Sequence, residues 1–139
     1  KTALARACEA AKAKGAKRAL MLPVSAPFHS SLLKPASDRL AEYMADLTFS
    51  VPQIPLINNV DVAILNDPQA IKDALVRQAA SPVRWVETIE KMAGMGITHI
   101  VECGPGKVLA GLCKRINNSL TGEAIVDQAS LDKVLEALK

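Results

Sequence analysis

The feature that most constrains the fold is a strand-length apolar run that ends in a glycine loop and leads directly into a helix. ITHIVEC, residues 97–103, is such a run. Gly-Pro-Gly ends it, and KVLAGLCKRINNSL, residues 107–120, has a helical pattern. The tail from residue 123 predicts a short strand and a last helix. Strands that alternate with helices favour parallel pairing, so the sequence predicts an α/β fold.

The first 25 residues predict a helix and a strand. KTALARACEAAKAKGAK is rich in strong helix formers, and Gly15 suits the end of a helix. RALMLPVS, residues 18–25, is a short apolar run bounded by turn residues and predicts a strand. A loop that carries His29 follows this strand.

The middle of the chain predicts helices around one strand. Apolar residues recur at helical spacing over residues 33–47, behind a cap from Ser30 or Ser31. IPLINNVDV, residues 54–62, predicts a buried strand that leads into a turn. Asp67-Pro68 opens the next helix, because aspartate caps a helix and proline suits its first turn. Ser81-Pro82 opens a further helix in the same way.

Composition excludes several classes of function. The chain has 139 residues, half of them apolar, which is enough for one core. A net charge of +3 and only four aromatic residues do not favour a nucleic-acid partner. No apolar run approaches the roughly 20 residues of a membrane span. The three cysteines show neither metal-ligand nor disulfide spacing, so we expect no metal and a cytoplasmic protein.

His29 is the first candidate for chemistry. It follows a predicted strand, and loops at the carboxyl ends of parallel strands collect catalytic groups. Its imidazole can take a proton near neutral pH, although a surface-loop histidine is an equally simple interpretation. Gln78 lies late in a predicted helix, where backbone carbonyls lose their helical partners, so its carbonyl can orient a histidine N–H. The sequence alone does not bring the two together.

Three weaker candidates remain open. Cys103 precedes a glycine loop and a helix start, where backbone N–H groups favour an anion and an ionised thiol, or where glycine only permits close packing. Asn58 and Asn59 follow a predicted strand and either face a ligand or satisfy a turn. Two basic pairs either meet an acidic partner or are solvated surface charge. They are Lys17-Arg18 and Lys114-Arg115.

Four segments together resemble one family. They are GAKRALMLPVSAPFHSSLLKPASDRL, PLINNVDV, ALVRQAASPVRW and ECGPGKVLAGLCKRI. In order and spacing they resemble the C-terminal half of bacterial malonyl-CoA:acyl carrier protein transacylase. The resemblance implies an α/β-hydrolase-like large subdomain with a ferredoxin-like small subdomain inserted in it. Residues 1–25 would be the last helix and strand of the small subdomain, and residues 26–139 the C-terminal portion of the large one.

The resemblance also implies a reaction in fatty acid biosynthesis. A serine in a G-x-S-x-G turn attacks malonyl-CoA, and the phosphopantetheine thiol of acyl carrier protein then removes the malonyl group. No permanent cofactor takes part. His29 matches the family's base, and Gln78 matches the residue whose main-chain carbonyl orients it. Phe28 matches a position that tracks with malonyl selection, Asn58 is expected to face substrate, and the two basic pairs are expected to dock the carrier protein.

One departure from the family is decisive. None of the serines lies in a G-x-S-x-G motif. The family's malonate-binding arginine and oxyanion-hole glutamine belong to an N-terminal half that these residues do not include, so we expect the chain alone to be inactive and that half to be its partner. Two alternatives stay open: a non-catalytic α/β module that binds acyl carrier protein or another acidic partner, and a thiol enzyme that pairs Cys103 with His29.

Overall fold

The structure, a computed structural model, describes residues 2–139 and has the predicted α/β character. Its two strands pair in parallel, with His99 opposite Thr121 and Cys103 opposite Ile125. A short 3-10 helix, Ser31–Leu33, precedes the second helix. The elements are α1 (Thr2–Ala13), α2 (Lys34–Ala45), α3 (Pro68–Ala80), α4 (Trp85–Gly94), β1 (His99–Cys103), α5 (Val108–Ile116), β2 (Thr121–Ile125) and α6 (Gln128–Ala137).

The β1-α5-β2 crossover and α4 enclose the main core. Ile89, Cys113 and Leu120 are buried together there. Helix α5 lies so close to β2 that a Cβ placed on Gly122 would be 2.4 Å from the carbonyl oxygen of Ala110. No side chain larger than hydrogen fits at Gly122 without moving α5.

Helices α2 and α3 form the second packed unit. The buried residues on their facing sides include Met44, Ile71 and Ala74. Ser37, also buried, donates a hydrogen bond from Oγ to the carbonyl of Val76 at 2.6 Å. A buried hydroxyl with a partner costs little, so this bond ties α2 to the C-terminal half of α3. Gln78 lies two residues further on, in the last turn of that helix.

Helix ends follow the predicted capping chemistry at two places, and the structure adds a third cap that the sequence analysis did not predict. Gly15 has a φ of +89° and ends α1, with Ala16 N–H donating to the Ala11 carbonyl at 3.0 Å. Asp67 accepts from the backbone N–H of Ala70 at 2.7 Å at the start of α3. Asp127 and Ser130 form a reciprocal cap on α6, and the hydrogen bond from the Ser130 side chain lowers the pKa of Asp127.

Two predicted strands are wrong. Residues 18–24 have no regular structure, and their local hydrogen bond runs from Val24 N–H to the Leu22 carbonyl. Residues 54–62 contribute only one antiparallel bridge, between Ile57 and Ile64. A strand requires a neighbour for its backbone groups, and within residues 2–139 the sheet consists of β1 and β2 alone. An apolar run therefore did not suffice to form a strand at either place.

Two predicted helix starts are also displaced. Helix α4 begins at Trp85 rather than at Ser81-Pro82, and Ser81 instead ends α3 in an extended conformation. Ser30 precedes the 3-10 helix without capping it, because its Oγ donates to the Pro27 carbonyl at 2.7 Å. Among the described helices, none combines the length and apolar character that crossing a membrane requires.

Candidate active site

His29 lies in a tight turn between residue 26 and the 3-10 helix, and its ring meets the end of α3. Its φ is +57°, and the Ser30 hydroxyl closes the turn on the Pro27 carbonyl. The Nδ1 atom lies 3.2 Å from the carbonyl oxygen of Gln78. A carbonyl oxygen only accepts, so this bond requires the proton on Nδ1. The neutral ring then keeps Nε2 as a free acceptor, which is the state that a general base needs.

Pro82 explains why the Gln78 carbonyl is available. In a continuing helix this carbonyl would accept from the backbone N–H of residue 82, four positions later. Proline has no N–H, so the helical partner is missing. Ser81 N–H donates to the same oxygen from 3.4 Å, which leaves room for His29 as a second donor. Pro82 is thus the sequence feature that indicates a free carbonyl at Gln78. The Ser81-Pro82 pattern on its own predicted only the start of a helix.

The loop after residue 57 packs against the same end of α3, and its two asparagines differ. The Asn58 side chain is used inside the loop: Nδ2 donates to the Ala63 carbonyl at 2.9 Å, and Oδ1 accepts from Asp61 N–H at 2.7 Å. Its assignment to substrate binding stays a prediction. The backbone N–H of Asn59 instead donates to Oε1 of Gln78 at 3.1 Å.

One ion pair, between Arg77 and Asp61, joins this loop to α3. Arg77 donates two hydrogen bonds to the Asp61 carboxylate, at 2.8 and 2.7 Å, and a third from Nε to Asp73. These bonds lower the pKa of Asp61 and raise the pKa of Arg77. Val62, next to Asp61, has a φ of +55°, a conformation that a β-branched residue rarely adopts. The bidentate pair therefore holds a strained turn beside the candidate site.

A second ion pair, between Arg84 and Glu87, lies at the start of α4. Arg84 donates from Nε to Oε2 of Glu87 at 2.7 Å. Its hydrogen bonds lower the pKa of Glu87 and, in return, the pKa of Arg84 is raised. Since both groups are exposed, the pair contributes little to stability.

A shallow groove of about 450 Å³ opens beside His29 between α2 and α3. Its walls are mainly apolar and include Leu40, Leu47 and Leu75. Phe28 precedes the histidine in the same turn, and its side chain is 58% exposed. The histidine thus lines an open, mainly apolar groove.

The glycine loop does not form an open anion site. Glu102, on β1, accepts the backbone N–H of Ala110 through Oε2 at 2.9 Å. An internal carboxylate therefore occupies the start of α5. Cys103 is exposed at the end of β1, and throughout the described residues no hydrogen bond joins it to His29. Burial raises the pKa of the thiol of Cys113, which lies in the core.

The remaining predicted site residues lie on the surface. All four basic side chains are exposed, and in the part of the chain that the structure describes none forms an ion pair. They are Lys17, Arg18, Lys114 and Arg115. From residue 2 onward, no group of three or more His, Cys, Asp or Glu side chains is arranged to hold a metal ion.

Comparison with known proteins gives consistent matches in sequence and in structure. No protein-family model matches the chain. A malonyl CoA-acyl carrier protein transacylase of Salmonella typhimurium is 53% identical over 135 residues, which are 97% of this chain and 44% of the relative. The Bacillus subtilis protein of the same name is 41% identical, over 96% of this chain and 42% of its own length.

Solved structures agree with these relatives. An acyl-carrier-protein S-malonyltransferase from Burkholderia pseudomallei 1710b has 63% identity and a TM-score of 0.91, over 98% of this chain and 44% of that one. A malonyl-transacylase solved in complex with its type II PKS acyl-carrier protein has 51% identity and a TM-score of 0.92, over 99% and 44%. The chain spans less than half the length of the proteins that it matches. In sequence and in fold, the chain therefore matches the C-terminal part of the malonyl-CoA:acyl carrier protein transacylases.

Proposed function

We propose that the full-length protein containing these residues transfers a malonyl group from coenzyme A to the phosphopantetheine thiol of an acyl carrier protein. The observation that carries this proposal is the hydrogen bond between Nδ1 of His29 and the Gln78 carbonyl. It fixes a histidine with a free Nε2 in a chain whose relatives are named for this reaction. The structural neighbour solved with an acyl-carrier protein supports the carrier as acceptor.

The proposed chemistry proceeds in two halves, with His29 moving a proton in each. Nε2 takes the proton of a serine hydroxyl as its oxygen attacks the malonyl thioester, and returns that proton to the departing thiolate of coenzyme A. In the second half, Nε2 takes the carrier's thiol proton, the sulfur attacks the malonyl-serine ester, and the serine oxygen regains a proton. The neutral Gln78 carbonyl stabilises the imidazolium in both halves of the reaction. In a Ser-His-Asp triad, a carboxylate has this role.

In this proposal the serine lies outside these 139 residues. The surface beside β1 supports the packing of a further part of the protein against it. An apolar groove of about 470 Å³ runs beside β1, and its lining includes Leu56, Met95 and Ile97. Ile54, at its rim, is 80% exposed. Apolar grooves of this kind beside a strand are usually covered.

We assign residues 26–139 to an α/β-hydrolase-like large subdomain, and residues 1–25 to the end of a ferredoxin-like small one, in a cytoplasmic enzyme of fatty acid biosynthesis.

Phe28 is proposed to restrict the acyl group. Its ring occupies the turn beside His29, so a branched acyl chain would have to share that space. We expect Phe28→Ser to raise the ratio of kcat/KM for methylmalonyl-CoA to kcat/KM for malonyl-CoA by about tenfold. Steric exclusion of one methyl group is worth about 1–3 kcal/mol, which changes this ratio by about ten- to a hundredfold. The measurement is competitive acylation with both thioesters. Phe49→Ser, which changes the second of the two phenylalanines, is the control, and an unchanged preference in Phe28→Ser would contradict the assignment.

The basic side chains are proposed to dock an acidic carrier protein. Rim charges act mainly on encounter rate and salt dependence. We therefore expect Lys114→Glu and Arg115→Glu each to lower kcat/KM for the carrier severalfold at low salt, with KM for malonyl-CoA unchanged. Lys91→Glu, an exposed lysine on α4, is the matched control. Equal kcat/KM in all three variants would remove these residues from docking; Lys17 and Arg18 are tested in the same series.

Labelled substrate tests the proposed function itself. Full-length protein incubated with radiolabelled malonyl-CoA should retain the label on a serine and then release it to phosphopantetheinyl acyl carrier protein. Label that reaches the carrier without an acyl-enzyme, or no transfer at all, would contradict the proposal.

A further inference from the structure

The side chain of Gln78 makes a hydrogen bond separate from that of its carbonyl. Its Oε1 accepts the backbone N–H of Asn59 at 3.1 Å, in a partly buried position. A partly buried backbone donor loses stability without a partner, so this bond favours the packed position of the loop. Gln78 is therefore held both through its side chain and through its main chain.

Asn59 also holds the start of α4. Its carbonyl accepts the backbone N–H of Arg84 at 3.1 Å. Its Oδ1 lies 3.4 Å from Oγ1 of Thr88, which is buried. One loop residue thus contacts both sides of the segment that contains Pro82, at Gln78 on the α3 side and at Arg84 on the α4 side.

This arrangement compensates for what Pro82 removes. In a regular helix, the i to i+4 ladder fixes the direction of each carbonyl. At Gln78 that bond is missing because residue 82 is proline. We propose that the Gln78 side chain, through the backbone of Asn59, is a positioning group that fixes the Gln78 carbonyl and with it the imidazole of His29. The proposal deepens the proposed function and rests on His29 being its base.

The test uses Gln78→Met in the full-length protein. Methionine has nearly the same length and keeps the main-chain carbonyl, but its thioether sulfur is only a weak acceptor for the backbone N–H of Asn59. We expect kcat for serine acylation to fall about tenfold or more through misplacement of the base. KM for malonyl-CoA should stay unchanged, and the ¹⁵N signals of the His29 ring should shift from the Nδ1–H tautomer to a mixture.

Two further variants separate positioning from a general loss of structure. Gln69→Met changes an exposed glutamine in the first turn of the same helix and is the matched control. Gln78→Glu restores an acceptor and should recover most of kcat and the Nδ1–H signal. Gln78→Leu replaces Gln78→Met if circular dichroism shows that the latter does not fold.

The outcomes decide the two proposals separately. Parent-like kcat and ring signals in Gln78→Met would overturn the positioning role while leaving malonyl transfer intact. A loss of kcat with unchanged ring signals, or without recovery in Gln78→Glu, would also overturn it. If the parent protein transfers no malonyl group but the His29 signals respond to Gln78→Met, the proposed function fails and the positioning role stands.

Discussion

Replacing His29 with alanine is expected to lower the rate of serine acylation in the full-length protein by about a thousandfold or more. The hydrogen bond from Nδ1 to the Gln78 carbonyl leaves Nε2 as the only ring nitrogen that can take the serine proton. Alanine removes that acceptor and leaves no neighbouring base in the turn. Because binding of malonyl-CoA does not depend on this proton transfer, the loss should fall on kcat rather than on KM.

The chain contains a matched control for this variant. His99, the second histidine, is exposed on β1 and its Nδ1 lies 3.0 Å from Oγ1 of Thr98. His99→Ala should acylate at the parent rate, measured by single-turnover incorporation of radiolabelled malonyl. Added imidazole should partly restore acylation to His29→Ala, since it supplies the missing base. Parent-like acylation in His29→Ala would remove this residue from the mechanism.

Replacing Gly122 with alanine is expected to cause the largest loss of stability. Its Cβ would lie 2.4 Å from the carbonyl oxygen of Ala110 and 3.1 Å from the carbonyl carbon. These are backbone atoms of α5, so no side chain can rotate away and the helix itself has to move. Overpacking of this kind costs about 1–3 kcal/mol, and we expect the upper end of that range or more. Urea unfolding of the full-length protein, or its thermal midpoint, gives the measurement.

Gly111→Ala, on helix α5, is expected to have the opposite effect on stability. A Cβ at Gly111 meets nothing within 4 Å. Alanine in a helix interior is favoured over glycine by about 1 kcal/mol, so this variant should be slightly stabilised. The claim that α5 approaches β2 too closely for a side chain would be wrong if Gly122→Ala were as stable as Gly111→Ala.

The sequence predicted the C-terminal unit well because its contacts are local. The strand predicted over 97–103 forms at 99–103, the helix predicted over 107–120 forms at 108–116, and the strand and helix predicted from residue 123 form at 121–125 and 128–137. Their apolar faces meet their nearest neighbours in the chain, so periodicity and capping suffice. Residues 18–25 and 54–62 have equally apolar runs, but strand formation requires a partner strand, and apolar character alone does not provide one.

The candidate site depends on contacts that local patterns do not encode. The loop position makes His29 only a candidate base, and the Gln78 carbonyl that its ring contacts is 49 positions away in the chain. Only the resemblance to a family suggested that pairing. The packing of α2 on α3 brings the two together, and the missing N–H of Pro82 leaves the carbonyl free to accept. The contacts of Asn59 with Gln78 and Arg84 likewise have no signature in the sequence, because Asn59 makes them through its backbone groups.

A crystal structure of the full-length protein gives the most direct measurement of the central claim. The account predicts a serine Oγ within about 2.6–3.2 Å of Nε2 of His29, while Nδ1 still donates to the Gln78 carbonyl. An imidazole turned toward bulk solvent, with no hydroxyl from the preceding polypeptide in reach and the Gln78 contact broken, would contradict it.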